Sequence, residues 1–302
     1  MIQRNGRAGS HSTSINIKSG FRITRDLTVI DHIGGTGKVD IYRCRSRSLK
    51  RVVACKILLP EKEHDKVVRD ALLREGDILQ RLRHPNVVEG YSVQAEPYPL
   101  VVLEYLEGQS LKNTFFEGNY GAFDIDDFIN IVLQLSDALT YVHDQGLLHL
   151  DVKPTNVIYN DGQVKLIDFS LAREFTPEHP LRHKSGTVEY MAPEQAFRQD
   201  LSYATDVFGL GVVFYRLLTG GRFPYAVIEY LDDKEESLRQ LDYKPTPISP
   251  SKLNPSVPVA IDPIALRAIN PDINERFQTP AEFKATLLAV GCGRHYNHGE
   301  DT

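Results

Sequence analysis

The chain has no tryptophan, two methionines and three cysteines, Cys44, Cys55 and Cys292, in 302 residues. No two of these cysteines stand at metal-ligand or redox spacing. An odd count in a long chain points to a reducing compartment, so they read as small buried or surface thiols. There is no basic excess either: 35 Lys and Arg against 40 Asp and Glu give a formal net charge of -5, which leaves no broad electrostatic footprint for nucleic acid. The longest apolar run, Val207 to Tyr215, is too short to cross a bilayer. Residues 1–20 lack the apolar centre of an export signal and read as a flexible polar arm. Residues 291–302 (GCGRHYNHGEDT) read as a frayed tail, with His295 and His298 solvated rather than ligating metal. These absences predict a soluble cytoplasmic protein with no nucleic-acid partner and no membrane segment. The 41% hydrophobic content is ample for a core.

What is present changes character near residue 105. From Phe21 to Tyr105 short β-type runs dominate (LTVI, VDIY, VVACKILL, LVVLEYL). One helical stretch, Val67 to Arg83, interrupts them and stops before His84-Pro85, where proline disfavours a helix. Beyond Tyr105, Phe128, Ile131, Val132, Leu135, Ala138, Leu139 and Val142 recur at helical spacing and predict a buried stripe. In NVIYNDGQVKLIDFS, two β-type runs flank Asp161-Gly162, a dipeptide suited to a tight hairpin. Such a hairpin sets Asn156 and Asp168 side by side. DVFGLGVVFYRLL reads as a helix buried all round, and Thr279-Pro280-Ala281-Glu282 as a capping box opening a last helix to about Val290.

The stretch HIGGTGKVDIY, His32 to Tyr42, raises the question of a phosphate-binding loop. The mononucleotide P-loop would need glycine where His32 stands and a hydroxyl where Val39 stands. Histidine lacks the backbone freedom of glycine and valine has no oxygen for a metal, so that reading loses two necessary parts. A glycine-rich turn between two strands is the plainer alternative.

The polar residues, read in order, decide the matter. Lys56 ends VVACK and Glu75 lies on the following helix. Then come HLDVKPTN at 149–156, DFS at 168–170 and SGTVEYMAPEQ at 185–195. In order, spacing and residue type the chain resembles the protein kinase superfamily, and within it the bacterial Ser/Thr kinases of eukaryotic type, over about residues 21–290. Phosphoryl transfer asks for cations on phosphate oxygens and a hydroxyl held in line, and these residue types meet that need.

The resemblance implies an α+β, bilobal kinase fold: a small antiparallel-sheet lobe with one main helix at 21–105, and a larger, mainly helical lobe at 106–290. It implies that Lys56 contacts the α- and β-phosphates of ATP and pairs with Glu75. Asp151 would be the catalytic base, Lys153 would steady the γ-phosphate, and Asn156 with Asp168 would hold Mg²⁺, with Mn²⁺ as an alternative. The nucleotide would be enclosed by Ile33, Gly34, Gly35, Thr36, Gly37, Val39, Ile41 and Ala54. Leu103 matches the gatekeeper, and the backbone of Glu104 and Leu106 matches the adenine-binding hinge. Thr187 would sit beside the base, Glu194 would pair with Arg276, and Asp206 would support the catalytic loop.

Five positions depart from the family pattern. Thr36 and Val39 carry side chains where bare backbone usually approaches the phosphates, which predicts weak ATP binding. Leu150 stands where arginine often pairs with a phosphorylated activation segment, so activity should not require phosphate on residues 170–190, even at Thr176 or Ser185. Ser170 replaces glycine and narrows the freedom of Asp168; Phe208 replaces tryptophan. The expected function is transfer of the γ-phosphate to Ser/Thr hydroxyls of protein substrates, with regulation left to a protein partner. A pseudokinase scaffold and a small-molecule kinase are the alternatives. The complete set of charged groups speaks against the first, Lys153 and the 185–195 segment against the second.

Overall fold

The structure, a computed structural model, describes residues 17–118, 121, 123–176, 178, 186–227 and 241–291. Most of the predicted arm and tail, with Cys292, His295 and His298, and also Ser185, lie outside the described residues. The chain divides into two compact units, residues 1–83 with 88–107, and residues 84–87 with 108–302. The division after residue 107 falls two positions beyond the expected boundary at 105. The segment 84–87, expected in the first unit, belongs to the second: Val87 bridges Leu166, and Asn86 Nδ2 donates to Gln134 Oε1 and the Val164 carbonyl. A pre-proline segment that cannot continue a helix is instead tied down by a buried asparagine.

In the first unit, strands β1 (Leu27–Gly35), β2 (Val39–Ser46), β3 (Arg51–Leu58), β4 (Gly90–Gln94) and β5 (Leu100–Glu104) form an antiparallel sheet in the order β1-β2-β3-β5-β4. The runs that predicted β1, β2, β3 and β5 alternate side chains between two faces. Val53, Cys55 and Ile57 join Leu27, Val29, Tyr42, Cys44 and Val102 in one apolar cluster, while Leu58 joins Val39, Leu72 and Val101 in another. Cys44 and Cys55 are thus buried free thiols, and hydrogen bonding to Cys44, then burial, pushes the Cys55 thiol up. Helix α1 (Lys66–Arg81) packs on β4 and β5. It begins with Asp65 accepting from Val68 N and ends two residues earlier than expected, where Leu82 turns extended and buries its side chain.

The second unit is built on two buried helices, α2 (Ile125–Asp144) and α4 (Tyr203–Leu218), which pack on each other. The predicted stripe of α2 is buried throughout, and a reciprocal Asp124/Asp127 capping box opens the helix. The Asp161-Gly162 turn joins β8 (Val157–Asn160) to β9 (Gln163–Leu166), with the short β6 (Gln109–Ser110) alongside. The strands β7 (Leu147–Leu148) and β10 (Arg173–Glu174) pair, as do β11 (Ala226–Val227) and β12 (Leu241–Asp242). Short helices α3 (Pro193–Ala196), α5 (Pro250–Leu253) and α6 (Asp262–Ala268) precede α7 (Pro280–Ala289). At α7 the expected capping box is half-built. Thr279 Oγ1 accepts from Glu282 N at 3.1 Å, but the Glu282 carboxylate takes Gln278 N and Arg267 instead of closing back on Thr279. Among the described residues no helix is long and apolar enough to cross a membrane.

Candidate active site

The alternation of β3 decides where Lys56 points. Register partners share a sheet face, and the pairs Val39 with Leu58, Ile41 with Lys56, and Ala54 with Leu103 put these residues on the face that α1 covers. There Lys56 Nζ meets both carboxylate oxygens of Glu75, at 2.9 and 2.7 Å, with Lys56 8% and Glu75 2% exposed. Gly76 lets α1 approach, since a Cβ there would lie 2.4 Å from Val93 Cγ2. A buried ion pair is a poor stabiliser. A well-packed apolar pair of similar volume would hold the fold equally well or better, by roughly 1–4 kcal/mol. The pair therefore reads as a device that aims an amine.

The β1-β2 connection is a strand-turn-strand, so no helix N-terminus follows it and the mononucleotide P-loop is excluded. Thr36 closes the turn: its N–H donates to the Val39 carbonyl at 2.7 Å, and its Oγ1 accepts from Lys38 N and Val39 N at 3.2 and 3.3 Å. Ile33 is exposed at 46%. Around Gly34 and Gly37 a Cβ would meet nothing, whereas at Gly35 it would strike Asp40 Oδ1 at 2.4 Å. Val39 corrects an expectation. Its side chain is buried against Leu58, Leu72 and Val101, so it does not obstruct the loop as its sequence position implied, and Thr36 is the residue that alters it. At the end of β5, Glu104 N donates to the Glu89 carbonyl at 2.8 Å, which takes that N–H away from a base, and Leu106 lies half-buried two residues on.

In the second unit the polar residues converge on one carboxylate. Asp151 Oδ1 accepts from the N–H and the Oγ1 of Thr187, each at 3.1 Å. Its Oδ2 accepts from Lys153 Nζ at 2.6 Å and Asn156 Nδ2 at 3.0 Å. Lys153 Nζ also donates to Thr187 Oγ1 at 2.6 Å, and Asn156 Nδ2 to the Asp151 carbonyl. With its amide nitrogen so placed, Asn156 offers Oδ1 as a donor atom. Ile167 N bonds the Asn156 carbonyl at 2.8 Å, so the hairpin brings Asp168 next to Asn156 in the backbone as predicted. Asp168 sits at φ +61°, which aspartate tolerates, and its Oδ1 accepts from Ser170 N at 3.4 Å. An amide oxygen and a carboxylate form a hard-oxygen pair suited to Mg²⁺, which takes few protein ligands and keeps the rest of its shell for water and phosphate.

The loop carrying Asp151 is suspended from α4. Asp206, in the first turn of that helix, accepts from His149 N at 2.8 Å, Leu150 N at 2.7 Å and His143 Nε2 at 2.8 Å. Burial alone would raise its pKa, but the bond from His143 and the neighbouring donors outweigh it, and the carboxyl lies below its ordinary 3.8. Leu150 is held at φ +65°, a left-handed conformation costly for a bulky residue. Its carbonyl is caught by Gln195 Nε2 at 3.0 Å. Gly209 of α4 meets Val152, between Asp151 and Lys153: a Cβ there would stand 3.1 Å from both the Cβ and the carbonyl oxygen of Val152. His149 is fully buried, and burial drives its pKa below the ordinary 6.5 against the pull of Asp206, Asp151 and Asp168.

A family model described as the protein kinase domain matches residues 27–281. The chain belongs to that family. Among curated proteins it is 30% identical over 273 residues to the serine/threonine-protein kinase PknB of Mycobacterium leprae, covering 87% of this chain and 43% of that protein. It is 31% identical over 276 residues to PrkC of Bacillus subtilis, covering 89% and 41%, and 29% identical over 274 residues to PksC of Streptomyces coelicolor, covering 87% and 48%. The chain therefore spans under half the length of these relatives.

Within this kinase domain, the Glu194–Arg276 pair is no surface contact. Arg276 is fully buried, bonds both carboxylate oxygens of Glu194 and the Ala204 carbonyl, and lies 4.9 Å from the centre of the Phe208 ring. Phe208 fills the expected tryptophan place in a cluster with Val212, Tyr215 and Ile269. Leu150 packs with Leu148, Phe175 and Leu201, so an apolar plug stands where the family pattern often has arginine. Three supporting residues went unnoticed in the sequence: His143, His149 and Gln195. Gln195 and His149 lay inside motifs already singled out. His143, one place after the apolar stripe of α2, left no signal until Asp206 was found beside it.

Proposed function

We propose that this chain is the catalytic part of an ATP-dependent protein kinase that transfers the γ-phosphate to Ser/Thr hydroxyls of protein substrates. The observation that carries the reading is the Asp151 carboxylate, oriented by Lys153, Asn156 and Thr187 as a proton acceptor whose geometry is set before a substrate arrives. Asp151 takes the acceptor's hydroxyl proton, and Lys153 Nζ faces the oxygens that gain charge in transfer. Lys56, aimed by Glu75, neutralises the α- and β-phosphates. Gly34 and Gly37, where the protein itself leaves room for a side chain, give phosphates a close approach to the backbone. Ile33, Gly35, Thr36, Ile41, Ala54 and Leu103 enclose the nucleotide, and the Glu104 carbonyl and Leu106 N–H receive adenine. Asn156 and Asp168 would hold Mg²⁺, or Mn²⁺ in its place; the ion, when bound, offsets charge on the phosphate oxygens.

The lobes of this reading run over 21–107, without 84–87, and over the remainder to 290. The Leu150 plug supports an activation segment that works without phosphate. A reduced, cytoplasmic setting suits the two buried free thiols, and regulation by a protein partner completes the proposal.

The test is incubation with labelled ATP and either Mg²⁺ or Mn²⁺, a generic acceptor protein, and Asp168→Ala as control. Label on Ser/Thr that disappears in the control is expected. ATP binding without transfer would make the chain a scaffold, a reading favoured by the Thr36 turn, which consumes N–H groups that phosphates would use.

A further inference from the structure

Helix α4 is buried at every position except Tyr203 and Arg216. Arg216, in its last turn, reaches a cavity of about 500 Å³ whose lining includes Phe116, Lys153, Thr187, Tyr190 and Phe223. Lys153 and Thr187 are both hydrogen-bonded to Asp151, so the cavity adjoins the carboxylate assigned to the acceptor hydroxyl.

The guanidinium is held on all sides but one. Phe116 and Phe223 lie 4.1 and 4.0 Å from it, centre to centre. Nε donates to the Gly221 carbonyl at 3.0 Å and Nη1 to the Tyr190 hydroxyl. Among the described residues no carboxylate stands at ion-pair distance from it. The other two cations at the cavity are matched, Lys112 by Glu117 at 2.9 Å and Lys153 by Asp151 at 2.6 Å. Glu189, also in the lining, has a partner of its own. The buried Arg276 shows the contrast, since Glu194 satisfies it. Arg216 is a planar cation already immobilised, with Nη2 still to offer to an anion.

We propose that this cavity is a substrate subsite and that Arg216 selects an acidic side chain, carboxylate or phosphate, close to the acceptor Ser or Thr. The inference rests on the kinase reading for its role in transfer. Because the guanidinium loses little further freedom on binding, one charge-assisted bond makes a difference of about ten- to hundredfold in kcat/KM between acidic and neutral peptides.

The experiment uses peptides with one central serine and, at each flanking position in turn, glutamate, phosphoserine, alanine or arginine. They are assayed with the full chain and with Arg216→Gln and Arg216→Lys, all checked by thermal melting. Expected is a preference for glutamate or phosphoserine at one or two positions, expressed mainly in KM, flattened to within about twofold in Arg216→Gln and partly kept in Arg216→Lys. Glutamate and phosphoserine arms tell the two anions apart. A preference for arginine, no charge preference, or an acidic preference that survives in Arg216→Gln overturns the proposal. Anisotropy binding of the same peptides to Asp168→Ala separates the two readings. Arg216-dependent acidic binding without any transfer by the parent chain would sink the kinase reading and leave the subsite standing, and transfer without charge selection would do the reverse.

Discussion

The glycine loop and the loop carrying Asp151 both connect strands, yet they are built in opposite ways. The glycine loop is exposed and serves itself: Thr36 satisfies the N–H groups of Lys38 and Val39 with its own hydroxyl. The Asp151 loop is buried, held from outside by Asp206, Gln195 and Thr187 and tied from within by Asn156, with Leu150 kept in a conformation it would not choose. A turn that satisfies itself can vary in sequence at little expense, whereas one held by remote partners fails when any of them is lost. Departures from the family pattern in the first therefore tune affinity. In the second, loss of one of those partners would remove chemistry.

Asp206→Ala tests that contrast hardest. It strips the acceptor from two backbone N–H groups and from His143 at a site 1% exposed, and should reduce transfer by about a thousandfold or more while destabilising the chain by about 3–5 kcal/mol. Steady-state kinetics beside urea unfolding would check it. A stable variant with near-normal turnover would show that the Asp151 loop is not hung from α4.

Thr36→Gly should act the other way. Freeing two loop N–H groups for phosphate should tighten ATP binding several-fold, about 1 kcal/mol, with melting temperature almost unchanged. Calorimetric titration with ATP is the measurement, and unchanged or weaker binding would count against the loop argument. Val39→Gly, suggested by sequence position alone, is the wrong variant because it hollows the core beside Leu72 and Val101.

A smaller effect concerns pH. His149 has a folded pKa below 6.5 through burial, so below pH 6.5 the unfolded chain takes up a proton that the folded chain refuses. Stability is complete above that pH and declines as pH falls toward the lowered value. The half-buried His84, lowered for the same first reason, adds to the slope. Urea midpoints between pH 7.5 and 5 should fall in the parent and fall less in His149→Phe; equal slopes would refute the assignment. The smallest expected effect is none at all: phosphatase treatment should leave activity within twofold, since the Leu150 plug does not read phosphate. Loss of activity on treatment would break that reading.

Much of this was legible before any coordinates. The β-type run VVACKILL announced β3, while the face on which Lys56 lies came only with the strand register. The Asp161-Gly162 turn announced the hairpin that sets Asn156 beside Asp168, and the unbroken apolar run of α4 announced its burial. Strand β4 was missed because GYSVQ interleaves polar residues with a glycine and has no run to read. The inward turn of Val39 was hidden because a motif records position along the chain, while the pleat of β2 decides direction. The roles of His143 and His149 were invisible for a further reason: a buried histidine declares itself only through the carboxylate it meets, here 63 residues away for His143 and Asp206.

Gly209 bears on how such a machine tolerates change. Its missing side chain is all that separates the axis of α4 from the peptide between Asp151 and Lys153. A single methyl there would need Val152 to yield by a few tenths of an ångström, and the displacement would pass straight to the proton acceptor and to the amine beside it. The tolerance of the chemistry is thus set on a helix that carries no reacting group, at a residue with no functional atom to offer.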